Sequence, residues 1–191
     1  VLCLGALYLI NHIRHHSLAE HLRRSLIFCF VAFLLAFFFV CGNLFTMHGF
    51  AIDANGLVAM EQGKYLHNLL QMPAVATLFV CGAALFVSGV VATLIRRGFS
   101  RGIWLSGLGT ILVVMAFFML AGYNNTAYYP STADIQSSLT LSNSCSSEFT
   151  LRAMAIVSLI IPFVVAYIAY FWRKMDIRSI TTEELKNTET Y

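Results

Sequence analysis

A chain of 191 residues that is 59% hydrophobic and only 11% charged, at a net charge of +3, lies far from the roughly 25% charged usage of a water-soluble domain. That balance excludes a soluble fold and gives no basis for a nucleic-acid partner. What remains is a membrane protein, and the distribution of its apolar residues decides which kind.

The opening residues, "VLCLGALYLINHI", read as the last turns of a span whose start is missing, and the chain begins on Val rather than Met. The expectation is a piece of a longer membrane protein whose own N-terminal half lies outside this sequence. Just beyond, His12, His16 and Glu20 share one helical face and His15 lies one turn from His12, a spacing that suits a metal. The neighbouring Arg14 and Arg23 favour a basic segment at the lipid headgroups instead.

Four apolar blocks follow, at 25–47, 74–95, 103–122 and 153–172, and none contains Asp, Glu, Lys, Arg or His. Each meets the requirement of about 20 mostly apolar residues for a helix to cross a bilayer. The alternation of polar and apolar residues that marks a β-barrel is missing. The expected fold is therefore all-α: a polytopic membrane bundle over residues 1–172, with four full spans plus the end of a fifth, then a tail at 173–191.

The loops alternate in charge. Arg14, Arg23 and Arg24 precede the first full span, Arg96, Arg97 and Arg101 join the second to the third, and Arg173, Lys174, Arg178 and Lys186 follow the last. The two intervening loops carry only Lys64 and Arg152, offset by Asp53, Glu61, Asp134 and Glu148. The positive-inside rule then places the C-terminus in the cytoplasm and these two loops outside.

The second outer loop is long, polar and rich in Ser and Thr, which marks it as functional, ordered against a partner, or disordered. Its "SSLTL" segment is too β-branched and apolar for disorder. Pro130 is expected to stop the preceding span, and Ser147 or Thr150 to cap the last helix. Cys3, Cys29, Cys41 and Cys81 lie in spans as small packing residues and Cys145 faces outside, so no disulfide is expected.

Met47 and His48 are haem-ligand types, but as sequence neighbours they point apart and cannot clamp one iron. Ala84, Ser88 and Ala92 recur every fourth residue, as do Gly102, Ser106 and Thr110, and such stripes let membrane helices approach closely. Tyr123, Tyr128, Tyr129, Tyr167, Tyr170 and Trp172 gather at span ends as an anchoring belt. Pro162 should kink the last span, and Thr181 with Glu184 forms a capping-box pattern in the tail.

"YP", then "SSLTLSNSCSSEFTLRAM", "IIPFVVAYIAYFWRKM" and "SITTEELKNTETY" resemble the C-terminal end of subunit II of the cytochrome bd quinol oxidases. The matching positions are Pro130, Ser138, Leu139, Thr140, Ser146, Ser147, Thr150, Leu151, Met154, Pro162, Tyr167 and Lys174. "EHLRRS" at 20–25 resembles the family's cytoplasmic connection, and "MDIRS" at 175–179 departs from its usual aromatic-Gly-basic run. The resemblance implies the C-terminal repeat of a scaffold subunit in a bacterial inner-membrane complex that oxidises quinol and reduces dioxygen. It also implies haem b and haem d ligated by a partner, subunit I, and so no catalytic, haem-binding or metal residue on this chain. An alternative is half of a secondary transporter with its last helix broken at Pro162.

Overall fold

The structure, a computed structural model, describes every residue except 13–15, 54, 97–98, 100 and 177–191, and describes only the backbone of His16, Ser17 and Asp176. The Thr181–Glu184 capping pattern lies outside the described residues.

Among the described residues there are eight α-helices: α1 Leu2–His12, α2 His16–Thr46, α3 Lys64–Gln71, α4 Pro73–Ile95, α5 Gly102–Gly122, α6 Leu141–Ser144, α7 Glu148–Ser158 and α8 Ile161–Asp176. Four candidate spans among the described residues are long and apolar enough to cross a bilayer, at Leu18–Thr46, Pro73–Ile95, Gly102–Gly122 and Glu148–Met175. The expected all-α membrane bundle is therefore present, and the apolar α1 stands beside it. Helix α2 has 31 residues and rises about 1.5 Å per residue, so it exceeds a hydrocarbon core of about 30 Å. Its first turns, which carry His21, Arg23 and Arg24, extend past that core.

Helix α1 packs on α2 through a core in which Leu7, Leu26 and Val90 are fully buried alongside Cys3, Ala6, Ile10, Phe30 and Phe86. A ladder of rings continues this core along the bundle. Phe33 meets Phe86 at 4.8 Å and Phe37 at 5.7 Å, and Phe37 meets Phe79 at 6.0 Å, with Phe117 5.4 Å from Phe79.

The tightest contact in the bundle joins α4 to α5. A Cβ at Gly109 would stand 2.5 Å from both the Gly82 carbonyl oxygen and the Phe86 amide nitrogen; at Gly82 it would stand 2.9 Å from Leu112 Cβ. Ser106 Oγ donates across the seam to the Phe86 carbonyl at 3.1 Å. The expected α4 stripe is corrected here. Ala84 and Ser88 are exposed and Ala92 is half-buried, whereas Gly82, Gly89 and Thr93 make the seam. Backbone-to-backbone approach favours residues without a Cβ, and Ser88 Oγ bonds to its own helix at Leu85 O, 3.0 Å away. On α5, Gly102 and Ser106 are in place, but Gly109 rather than Thr110 completes the buried face.

The last span is broken where Pro162 requires it. Helix α7 ends at Ser158, Leu159 and Ile160 donate to carbonyls three residues back, and Pro162 sits in the first turn of α8, where its missing N–H costs nothing. None of this span's apolar window is buried. At its far end the Trp172 ring lies 6.4 Å from that of Tyr8.

Candidate functional site at the capped end of the bundle

The basic residues gather at one end. Arg23 Nη1 reaches the carbonyl of Arg96 at 3.5 Å, which ties the start of α2 to the end of α4. The opposite, arginine-poor end carries a folded cap built from both intervening loops.

In the first loop, β1 (His48–Ile52) pairs antiparallel with β2 (Val58–Gln62) in the register His48 to Gln62 through Ile52 to Val58. Between the strands, Gly56 N donates to Asp53 O at 2.8 Å and Gly56 adopts φ 78°, the left-handed region glycine tolerates. Gly49 is open enough for Lys64 to lie across it, since a Cβ there would stand 2.5 Å from Lys64 Cβ.

In the second loop, β3 (Ala127–Tyr129) pairs antiparallel with β4 (Leu139–Thr140), and a 3₁₀ turn spans Ile135–Ser137. The "SLT" segment is thus ordered. Ser138 is buried; its Oγ donates to Ile135 O at 2.6 Å and accepts from Ser131 N at 3.1 Å. Leu139 is exposed and lies opposite Tyr129. Thr140 caps α6 in a capping box with Asn143. Ser146 is exposed in the linker that follows. Ser147, rather than Thr150, caps α7: its Oγ accepts from Thr150 N at 3.5 Å, and Leu151 N donates to Ser147 O.

Pro130 does not stop the preceding span. Helix α5 ends eight residues earlier at Gly122, where Tyr123 turns extended and Asn124 and Asn125 take positive φ of 58° and 52°. Asparagine tolerates that region better than other residues with a side chain, so the chain turns there.

Long-range side-chain bonds fuse the two loops. Asn68 on α3 is fully buried; its Nδ2 donates to Leu120 O at 2.9 Å and Thr126 Oγ1 at 2.8 Å. Its Oδ1 accepts from Asn124 Nδ2 at 2.9 Å, and the same Asn124 nitrogen reaches Gln71 Oε1 at 2.6 Å. Gln136 imitates a strand: its Oε1 accepts from Val58 N at 2.9 Å and its Nε2 donates to Val58 O at 3.0 Å. Ile52 N donates to Asn125 O at 2.8 Å, beside a bridge between Ala51 and Thr126.

One charged cluster lies in this cap. Glu61 receives Lys64 Nζ at 3.4 Å and His67 Nδ1 at 2.8 Å. The hydrogen bond from His67, and then Lys64, hold the Glu61 carboxyl below its ordinary range despite some burial. At the other end His12 Nδ1 lies 3.0 Å from Tyr8 O, and the His12 ring lies 4.1 Å from the Tyr8 ring at a tilt of 32°. Among the described residues, no three His, Cys, Asp or Glu side chains gather closely enough to hold a metal. Tyr167 is exposed on α8 with its ring 4.7 Å from Phe171, and Lys174 Nζ lies 5.0 Å over Tyr170.

Within the bundle a cavity of about 740 Å³ opens between α1, α2, α4 and α5. Phe28, Phe33, Phe37, Phe86 and Phe117 line it, and the Thr110 hydroxyl there bonds to its own helix at Ser106 O. Such a lining suits hydrocarbon; it contains no Asp, Glu, His, Lys or Arg, and its polar side chains are the thiols of Cys3 and Cys29 and the Thr110 hydroxyl.

A search of curated proteins returns no match. The family model for cytochrome bd terminal oxidase subunit II matches residues 1–175, which takes in every span and the whole cap. The chain belongs to the cytochrome bd terminal oxidase subunit II family.

Proposed function

We propose that the chain is a scaffold of a quinol:dioxygen oxidoreductase, supporting a haem-bearing subunit I that holds haem b and haem d. One observation supports this above the rest: the described spans carry much exposed apolar surface and no Asp, Glu, Lys, Arg or His in their apolar cores. The whole of Glu148–Met175 lies unburied within the chain, and Ala84 and Ser88 face outward from α4. Intramembrane acids and bases mark proton or ion pathways, so helices that lack them and leave their faces uncovered fit support better than transport. Quinol is then a substrate of the complex, and the residues of this chain hold the bundle rather than the chemistry. In this reading the membrane is a bacterial inner membrane and the C-terminus is cytoplasmic, which the basic ends at Arg23, Arg96 and Arg173 support through the positive-inside rule.

The test is a dithionite-reduced minus air-oxidised visible spectrum of the protein, purified by a tag on this subunit from its native membrane. Haem b and haem d bands that co-purify in fixed ratio with the tagged subunit are expected. A colourless preparation of intact protein refutes the scaffold role.

A further inference from the structure

Helix α3 is inside out for a helix in water. Lys64 and Asn68, four residues apart, face the protein at 7% and 0% exposure. Leu66 and Leu70, also four apart, face away from it at 40% and 72%. A helix bounded by water turns its apolar arc to the core and its polar arc outward. Here the polar arc is turned inward because its groups have partners there: Asn68 satisfies Leu120 O and Thr126 Oγ1, and Lys64 meets Glu61. The leucines are left to whatever surrounds the molecule.

The position of α3 names that surrounding. Only Met72 separates it from α4, whose first residue, Pro73, opens a span. Leu70 therefore sits level with the start of a membrane helix. The spans expose apolar side chains as well, among them Val80 on α4 and Phe38 and Phe39 on α2. Around the helix, exposed His67 and Gln71 flank the leucines on the side away from the half-buried Tyr65 and Leu69. A leucine edge beside a polar edge is the pattern of a helix lying in the plane of a bilayer interface.

We propose that α3 is an in-plane interfacial helix. Leu66 and Leu70 insert among the acyl chains of the leaflet at the arginine-poor end, while His67 and Gln71 stay at headgroup level. The helix thereby holds the hairpin and the second loop at a fixed height on the membrane, because on its other face Asn68 bonds to Leu120 of α5 and to Thr126 and Asn124 of the second loop, and Lys64 pairs with Glu61 of the hairpin. This anchor concerns lipid contact alone and stands apart from the identity of any partner subunit.

The test places a reporter on each edge. Leu70→Trp and Gln71→Trp are made in the full protein, extracted with the subunits it carries. Both are reconstituted in phosphatidylcholine vesicles with either ordinary or brominated acyl chains. The emission of Trp104 and Trp172 is subtracted using the parent protein. The expected result is that the added emission of Leu70→Trp is mostly lost in brominated lipid and is insensitive to aqueous iodide, while iodide quenches Gln71→Trp. Iodide quenching of Leu70→Trp overturns the proposal by placing the helix in water. Protection of Leu70→Trp from both quenchers overturns it by placing protein against the helix. Leu66→Trp, read in the same way, serves if Leu70→Trp does not assemble.

Discussion

If the glycine seam sets the spacing of α4 and α5, two glycines only two residues apart must respond oppositely to alanine. A Cβ at Gly109 would lie 2.5 Å from Gly82 O and Phe86 N; at Gly107 it would meet nothing within 4 Å. Ordinary contact at Gly109 needs roughly another ångström, so the helices must part there at a cost of about 1–3 kcal/mol. Parting them also stretches the 3.1 Å bond from Ser106 Oγ to Phe86 O, worth about 1 kcal/mol. Both substitutions gain up to about 1 kcal/mol of helix propensity. Gly109→Ala should therefore destabilise by about 1–3 kcal/mol and Gly107→Ala should stabilise by up to about 1 kcal/mol. A thermal melt followed by maleimide labelling of buried Cys3 and Cys41 reads both, with exposed Cys81 and Cys145 labelled beforehand. Equal melting temperatures for the two variants would refute the seam as the determinant of spacing.

Gln136→Ala should release the second loop from β2 without disturbing the spans. Two bonds to Val58 are lost, about 1–3 kcal/mol locally, and hydrogen exchange at the Val58 amide should accelerate about tenfold or more. Asn68→Leu keeps the branched shape but removes the bonds to Leu120 O, Thr126 Oγ1 and Asn124 Nδ2, so the cap should loosen by about 1–3 kcal/mol and proteolytic nicking in both loops should rise together. Nicking in only one loop would mean that Asn68 does not couple them. Glu61 has a lowered pKa in the folded cap, so its contribution is complete above its ordinary value near 4.5 and is lost as pH falls through the lower folded value. Exchange in β2 and α3 should accelerate below about pH 4, and Glu61→Gln should flatten that dependence.

The spans were legible because hydropathy and length act locally: about 20 uncharged apolar residues leave no other stable arrangement in a bilayer. The alternation of arginine-rich and arginine-poor loops likewise reads directly, and Arg23 reaching Arg96 O places two of the basic segments side by side. The hairpin was also within reach, since Asn55–Gly56 between two short apolar-polar runs is a strong turn signal. It is hidden when a polar stretch between two spans is read only as a connector. Asn68 and Gln136 were not legible. Their partners lie 52 to 78 residues away, and nothing in the neighbouring sequence distinguishes a buried amide from an exposed one. The α4 stripe misleads for a related reason: Ala84–Ser88–Ala92 and Gly82–Gly89 both offer small residues, and only the partner helix selects between them.

Two devices fix position in this chain, and the last span has neither. Helices α4 and α5 are registered by glycines that bring their backbones together, and the cap is registered by amide side chains that bond across long separations. Residues 153–172 contain no glycine and no Asn, Gln or charged side chain. The one hydroxyl amino acid there outside the tyrosines, Ser158, turns its Oγ back to Ala155 O in its own helix at 2.7 Å. With no seam and no crossing bond, α7 and α8 have only apolar contact to hold them. Lipid tails supply such contact as readily as other helices do, so it gives no preference for packing against the chain itself. That accounts for a span whose apolar window is wholly unburied. Its break at Leu159–Ile160, its Ser147 cap and its basic last turn at Arg173 and Lys174 set its depth and its bend, while its lateral place is set by what lies beyond this chain.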